Sequence, residues 1–323
     1  MAETLKSPEP GIGVPRFRLS LRSFGIYLVL LGMVVAASLF VPGFATAQTA
    51  INIFQRSVAL GLVSIGQTFV IIGGSLDLSV AATISTISVI TAVLMDNKTE
   101  NMVWATLAAL AMGAVIGAVN GTLVTRFKIN AFIATLGSGL ILQGILFSNV
   151  DNYAGKVPEP FQGLAYAEAL GIPLGVFVLI AIVLLAWVIL RYTRFGYHLY
   201  AVGGNESIAR LSGVRTGRVL LGAHILAGIG AALAAIILIA RLRAGGPRVG
   251  DGFDLDSIAA VVVGGALLSG GRGSVWGTLA GVLIVSVLST IFNYLDVGAF
   301  AQDVIRGVVL IAVVALYSYR ARR

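Results

Sequence analysis

Residues 57–95, SVALGLVSIGQTFVIIGGSLDLSVAATISTISVITAVLM, carry one charged side chain, Asp77, in 39 positions. A spanning helix uses about 20 mostly apolar residues, so a run of this length is two crossings joined near its middle. Gly73, Gly74 and Asp77 mark the join, and SLDLS at 75–79 reads as a break between two membrane helices. A carboxylate at such depth is a candidate for a functional role, because an ionised group in hydrocarbon is costly. Asp77 also suits a second role, accepting backbone N–H groups at the start of the next helix. The two roles are compatible.

The same reading extends along the chain. Gaps between charged residues run 23–55, 57–76, 78–95, 101–125, 129–150, 169–190, 219–240, 257–271, 273–295 and 307–319. Eight suffice for a span outright, while 257–271 and 307–319 need polar neighbours or a broken geometry. The expectation is an all-α integral membrane protein of about ten transmembrane helices. It has an N-terminal segment 1–23, one transmembrane domain 24–319 and a tail 320–323. Ala45-Thr46-Ala47 mimics a signal-peptidase site, but the apolar run from Phe24 to Val41 is too long for a signal core and is read as an uncleaved first helix.

Composition agrees. Of the 323 residues 58% are hydrophobic and 11% charged, with a mean hydropathy of +0.97, whereas a soluble domain carries about 25% charge. A soluble globule and a disordered chain are both excluded. A net charge of +8 would suggest nucleic acid in a soluble protein; here its placement points to membrane orientation and no nucleic-acid partner. Most of the Lys and Arg fall on the side of the N-terminus, which the positive-inside rule makes cytoplasmic, with both termini inside. The chain has no Cys and two His, His198 and His224, which excludes thiolate sites and leaves no metal cluster; no cofactor is expected.

Gly113, Gly117 and Gly121 in GAVIGAVNGTL recur as Gly273, Gly277 and Gly281 in GSVWGTLAGVL, at an offset of 160. Small residues four apart let helices approach closely in lipid, where packing replaces the hydrophobic drive. The first of these helices runs outside to inside and the second inside to outside. The expectation is two inverted repeats of four helices, helices 2–5 and 7–10, with a pathway at their interface.

The longest cytoplasmic segment, residues 191–218, is too ordered in pattern for a linker. Gly203-Gly204 reads as a turn, Asn205 as an N-cap, Glu206–Leu211 as a short helix and Gly213 as its stop. The stretch GYHLYAVGGNESIARLSGV resembles the cytoplasmic coupling segment of permease subunits of ribose-type ABC sugar importers. GGSLDLSV near residue 73 and FDLDSIAAVVVGGALLSGGRGSVWGTLAGVLI at 253–284 are similar to the same family, and weaker similarity covers nearly all of 24–319. The family has two Ala in the coupling helix, where this chain has Ile208-Ala209.

The resemblance implies a ten-helix permease in a bacterial inner membrane, working as a dimer, by default of identical copies. It further implies a cytoplasmic ATP-binding subunit and a periplasmic sugar-binding protein. On that basis Gly203, Gly204, Asn205, Glu206, Ala209, Arg210 and Gly213 are expected to couple to the ATPase. Gln67, Asp77, Asn120, Gln143 and His224 are candidates for the sugar pathway, the alternative for each being interhelical hydrogen bonding. Arg241, Arg243 and Arg248 are read as a docking surface for the binding protein. Pairing with Asp251, Asp254 and Asp256 is an equally open reading, as is a loop on the other side of the membrane.

Absent motifs narrow the function. No G-x-x-x-x-G-K-[ST] loop exists to cradle phosphates, since Gly155-Lys156 is followed by Val157, and no nucleophile elbow or H-E-x-x-H pair is present. The chain is read as a transport subunit and not an enzyme. An ion-coupled secondary transporter is the alternative class, with only Asp77 to couple an ion. Permeases for nucleosides or branched-chain amino acids are the alternatives within the importer class.

Overall fold

The computed structural model describes residues 21–298, with 300–302, 304–305 and 307–308 beyond them. The segment 1–20, nearly all of the tenth expected helix and the tail lie outside the described residues. Among the described residues, twelve α-helices occur with one minimal β-hairpin. α1 (Leu21–Phe40), α2 (Ala47–Ile72) and α3 (Val80–Met95) cover the first three expected spans. α4 (Met102–Thr125), α5 (Ala131–Asn149), α7 (Leu174–Tyr192), α10 (Thr216–Leu242) and α12 (Val275–Tyr294) supply the other long ones. Between them lie α6 (Glu159–Tyr166), α8 (Arg194–Gly204), α9 (Glu206–Leu211) and α11 (Phe253–Val263). The hairpin pairs β1 (Glu168–Ala169) with β2 (Ile172–Pro173).

Among the described residues, six helices are long and apolar enough to cross a membrane by length and composition: α2, α4 with the preceding turn, α5, α7, α10 and α12. Two expected spans are shorter than the sequence suggested. α3 has 16 residues, about 24 Å at 1.5 Å per residue, because Ser75–Ser79 stay non-helical. α11 has 11 residues and stops at Gly264-Gly265, where Gly265 takes a φ of +92°. α2 begins at Ala47, so Arg56 lies inside it, exposed, rather than ahead of it.

α10 sits at the centre, against α2, α3 and α4, while α2 borders α10, α11, α12 and α7. α3 lies on α4, and α11 on α12. Close contact depends on small residues. A Cβ at Gly113 or Gly117 would overlap the carbonyl oxygens of Gly228 and His224 on α10, and Gly121 continues this stripe against Leu221. Gly277 and Gly281 pack instead on Gly264 and Ala260 around α11, and Gly273 meets Ile72 and Ala266 ahead of α12. The two stripes match in sequence but meet different partners. One touches a long helix distant in the chain, the other the short helix next to it.

The connection from α10 to α11 does not stay at the helix ends. Gly245 bridges to Ala154, Gly246 N–H donates to Ser88 Oγ at 3.3 Å and Gly250 N–H to Ser85 Oγ at 2.9 Å. The chain therefore descends along α3, where a Cβ at Gly250 would overlap the Ala81 carbonyl oxygen.

Candidate functional site

The join at 73–79 gathers polar side chains from four helices. Asp77 Oδ1 accepts from Ser79 N–H at 2.9 Å and Ser79 Oγ–H at 2.6 Å. Asn120 Nδ2 on α4 donates to Ser79 Oγ at 2.7 Å, and Gln67 Nε2 on α2 to the Asp77 carbonyl at 2.6 Å. His224 on α10 places Nε2 3.0 Å from Ser75 Oγ and Nδ1 3.7 Å from Asp77 Oδ2. Thr135 Oγ1 on α5 accepts from Leu78 N–H at 3.0 Å. Buried polar groups are costly unless they satisfy one another where no water reaches, and most of those at this join do so.

Four of the five expected pathway residues, Gln67, Asp77, Asn120 and His224, thus form one cluster, each at most 1% exposed. Gln143 does not join it: it is half-buried on α5 and has no hydrogen-bond partner among the described residues. In this conformation the cluster is an interhelical clamp sealed from water, with Gln67 Oε1, Asn120 Oδ1 and His224 Nδ1 left without hydrogen-bond partners among the described residues. Asp77 holds Ser79, the residue ahead of α3, and so shapes the turn rather than capping the first helical turn. Ser75, Ser79 and Thr135 were not singled out from sequence. The hydroxyls flanking Asp77 in SLDLS were the available signal.

The segment 191–218 folds as two short helices. Thr193 Oγ1 accepts from Gly196 N–H at 3.2 Å to start α8, and Asn205 Oδ1 accepts from Ile208 N–H at 3.0 Å to start α9. Gly213, at φ +85°, ends the motif. Here the expected Gly203-Gly204 turn is corrected: both glycines are the last residues of α8, and Asn205 alone makes the bend. Gly203 is needed for contact, since a Cβ there would overlap the Ile72 carbonyl oxygen, whereas one at Gly204 would meet nothing within 4 Å. Glu206 pairs with Arg210 one turn on and accepts from Thr216 Oγ1 at 3.0 Å. Burial would raise the Glu206 pKa, but the bonds from Thr216 and Arg210 and the charge of Lys128 outweigh it and hold the carboxyl below its ordinary range.

Ala209 faces inward at 3% exposed, while Ile208 and Leu211 project at 62% and 88%. The exposed apolar residues of α9 are therefore Ile208 and Leu211, which the sequence did not single out. α8 in turn touches both interrupted regions of the membrane domain. Gly203 abuts Ile72, Gly74 and Gly271, Gly271 N–H donates to the Ile72 carbonyl at 2.9 Å, and Tyr200 OH donates to the Gly273 carbonyl at 2.9 Å. A cavity of 410 Å³ lies between the join and this segment, with Ser75 at one side and Lys128, Asn130 and Glu206 at the other.

The three expected docking arginines separate. Arg243 ends α10 and stacks on Tyr166 at 5.6 Å, and the Tyr166 OH donates to the Arg241 carbonyl at 2.7 Å. Arg248 lies farther along the descending loop, over the Phe147 ring at 5.6 Å. No ion pair within 4.0 Å joins these arginines to Asp251 or Asp254 among the described residues, and Arg243 and Arg248 each lie over an aromatic ring.

Comparison with known proteins bears on the whole chain. The ribose import permease protein RbsC of Escherichia coli (strain K12) is 36% identical over 292 residues, covering 89% of this chain and 91% of the relative. Its namesake in Bacillus subtilis (strain 168) is 36% identical over 305 residues, 92% of each chain. The L-arabinose transport system permease protein AraH of Escherichia coli (strain K12) is 35% identical over 320 residues, 97% of this chain and 96% of the relative. No solved structure matches. A family model described as branched-chain amino acid transport system / permease component matches residues 49–314, and with the multi-pass helical fold and relatives of like length it establishes that the chain belongs to this family of transport permeases.

Proposed function

We propose that the chain is the membrane subunit of an ATP-driven importer of a ribose-like monosaccharide, in which the pathway opens by alternating access. The observation that carries it is the α8–α9 segment: an apolar pair, Ile208 and Leu211, projects from a short helix whose neighbour α8 abuts both interrupted regions. An ATP-binding subunit that grips α9 can thereby move the joins at 73–79 and 264–274 together. The sugar class is supported by the names of the ribose and arabinose permease relatives. A soluble binding protein delivers the sugar on the opposite face, where Arg241 and Arg243 offer positive charge, and two identical copies form the pathway. The termini and α9 share the cytoplasmic side of a bacterial inner membrane. ATP is held by the separate subunit, and this chain carries no cofactor.

Ten helices with sets 2–5 and 7–10 inverted are supported by an exchange of neighbours. α10 borders α2, α3 and α4 as α2 borders α10, α11 and α12, and α3 lies on α4 as α11 lies on α12. Ion coupling is disfavoured by the sealing of Asp77 among four helices. Branched-chain amino acids are a second reading that rests on the family description. Uptake of labelled pentoses, hexoses and leucine in vesicles holding the permease, its ATPase and its binding protein decides between them. ATP-dependent pentose uptake is expected, and leucine uptake alone would overturn the sugar reading.

A further inference from the structure

The descending loop places charge where lipid does not tolerate it. Gly250 is level with Ala81 and Ser85 of α3, 10 to 14 residues short of Met95, or about 15 to 21 Å along the helix. From the other end, a Cβ at Gly139 of α5 would stand 3.3 Å from Ser79 Cα, and Gly139 lies eight residues past the start of α5 at Ala131, about 12 Å along it. In an apolar layer about 30 Å thick, Gly250 therefore sits near mid-membrane. Arg248 and Asp251 flank it, and both are exposed. α11 starts at this depth with Asp254 in its first turn, and runs back to the face that carries α8.

A charged side chain exposed at mid-membrane almost always faces water or another protein rather than hydrocarbon. α5 shows which surface this is. Gly139, Gln143 and Phe147 are spaced by four and share one helix face. Gly139 meets Ser79 at the lower end of that face and Phe147 lies beside Arg248 at the upper end. Gln143 stands between them on that face, half-buried and, among the described residues, without a hydrogen bond of its own. The polar residue that the sealed cluster leaves out thus belongs to the same wall as the two stranded charges.

We propose that Gln143, Phe147, Arg248 and Asp251 line the water-filled solute pathway and hold a neutral polyhydroxylated solute. The chemistry suits such a ligand. The Asp251 carboxylate accepts from hydroxyls, the Arg248 guanidinium and Gln143 amide donate to them, and the Phe147 ring, 39% exposed, covers a C–H face of the sugar ring. One cation and one anion side by side cancel, so neither a cationic nor an anionic solute is preferred. The pathway runs along the α5 face and not through the Asp77–His224 cluster. The choice of a sugar rests on the function proposed above; the position of the wall does not.

The chain's lack of cysteine makes the test direct. Gln143→Cys and Asp251→Cys, with Ile141→Cys on the opposite face of α5 and Asn120→Cys in the sealed cluster as controls, are reconstituted with the ATPase and binding protein in lipid vesicles. A charged, membrane-impermeant thiol reagent is added in each nucleotide state. In at least one state, positions 143 and 251 are expected to react about tenfold or more faster than 141 and 120, because only the former face water. Ribose or arabinose turnover should slow that labelling severalfold. Rates at both 143 and 251 no higher than at 141 in every state overturn the wall, and position 143 keeps the test valid if the Asp251 variant folds poorly. Fast labelling that no sugar slows, but a branched-chain amino acid does, overturns the sugar and leaves the wall standing.

Discussion

Asp77 reaches its partners only because the chain leaves the helical path on both sides of it, at Gly73-Gly74 and at Ser79. That the sequence pointed to Gln67, Asp77, Asn120 and His224 together has a plain cause: polar groups in an apolar helix must find one another or water. Which of the two they find depends on helix rotation, and that is set by packing that no single residue reveals. Asp77→Ala leaves the Ser79 N–H and Oγ without their acceptor and should lower stability by about 3 kcal/mol. Gln143→Ala removes no bond and should stay within about 0.5 kcal/mol of the parent. Thermal unfolding in detergent compares them, and equal losses would show that the cluster does not clamp the join. Glu206 gives a pH test with a definite sign. Its folded pKa lies below the ordinary 4.5, so its pairing stabilises above 4.5 and is lost as pH falls through the lower folded value. Wild type and Glu206→Gln should therefore unfold at different temperatures above that pH and converge in stronger acid; parallel curves throughout would refute the pairing.

Glycine pairs illustrate where a sequence pattern specifies an element and where it does not. Asn205, the run 206–211 and Gly213 gave α9 correctly, because an N-cap, a short helical run and a left-handed stop are local rules. Gly203-Gly204 has the composition of a turn and is a helix end, because the need for Gly203 comes from the Ile72 and Gly271 backbones pressed against it. The stripes at Gly113 and Gly277 were recognisable as close-packing faces, but the partner of each was not, since spacing by four says nothing about what approaches. The two α8 glycines should then differ sharply. Gly203→Ala forces α8 off the 73–79 join, at a cost of about 1 to 3 kcal/mol, and should lower transport. Gly204→Ala meets open space and replaces glycine in a helix, so its stability should be unchanged or about 0.5 kcal/mol higher. Similar losses of transport in the two variants would show that contact with the join is not what Gly203 supplies.

Across the membrane domain, counting charges located the spans because lipid excludes charge, and it failed where the protein builds its own polar interior. Arg248 and Asp251 were read as lying on the outer side or at the membrane edge; they belong to a segment hydrogen-bonded along the side of α3, a placement that only tertiary contacts reveal. The same contacts make docking and transmission separable steps. Ile208 and Leu211 are exposed and contribute little to the fold, so Ile208→Asp with Leu211→Asp should leave the unfolding temperature of the isolated permease unchanged. If they anchor the ATPase, the loss of two apolar anchors should cost about 3 kcal/mol of association, near a hundredfold in affinity. Gly203→Val acts one step later: α9 is intact and should bind the ATPase normally, while α8 can no longer seat against Ile72, so ATP hydrolysis runs without import. The two variants therefore predict opposite results in co-purification with the ATPase, lost in the first and kept in the second, with import lost in both. Retained co-purification in the double aspartate variant would move the docking surface away from α9, and normal import by Gly203→Val would remove α8 as the link between that surface and the membrane joins.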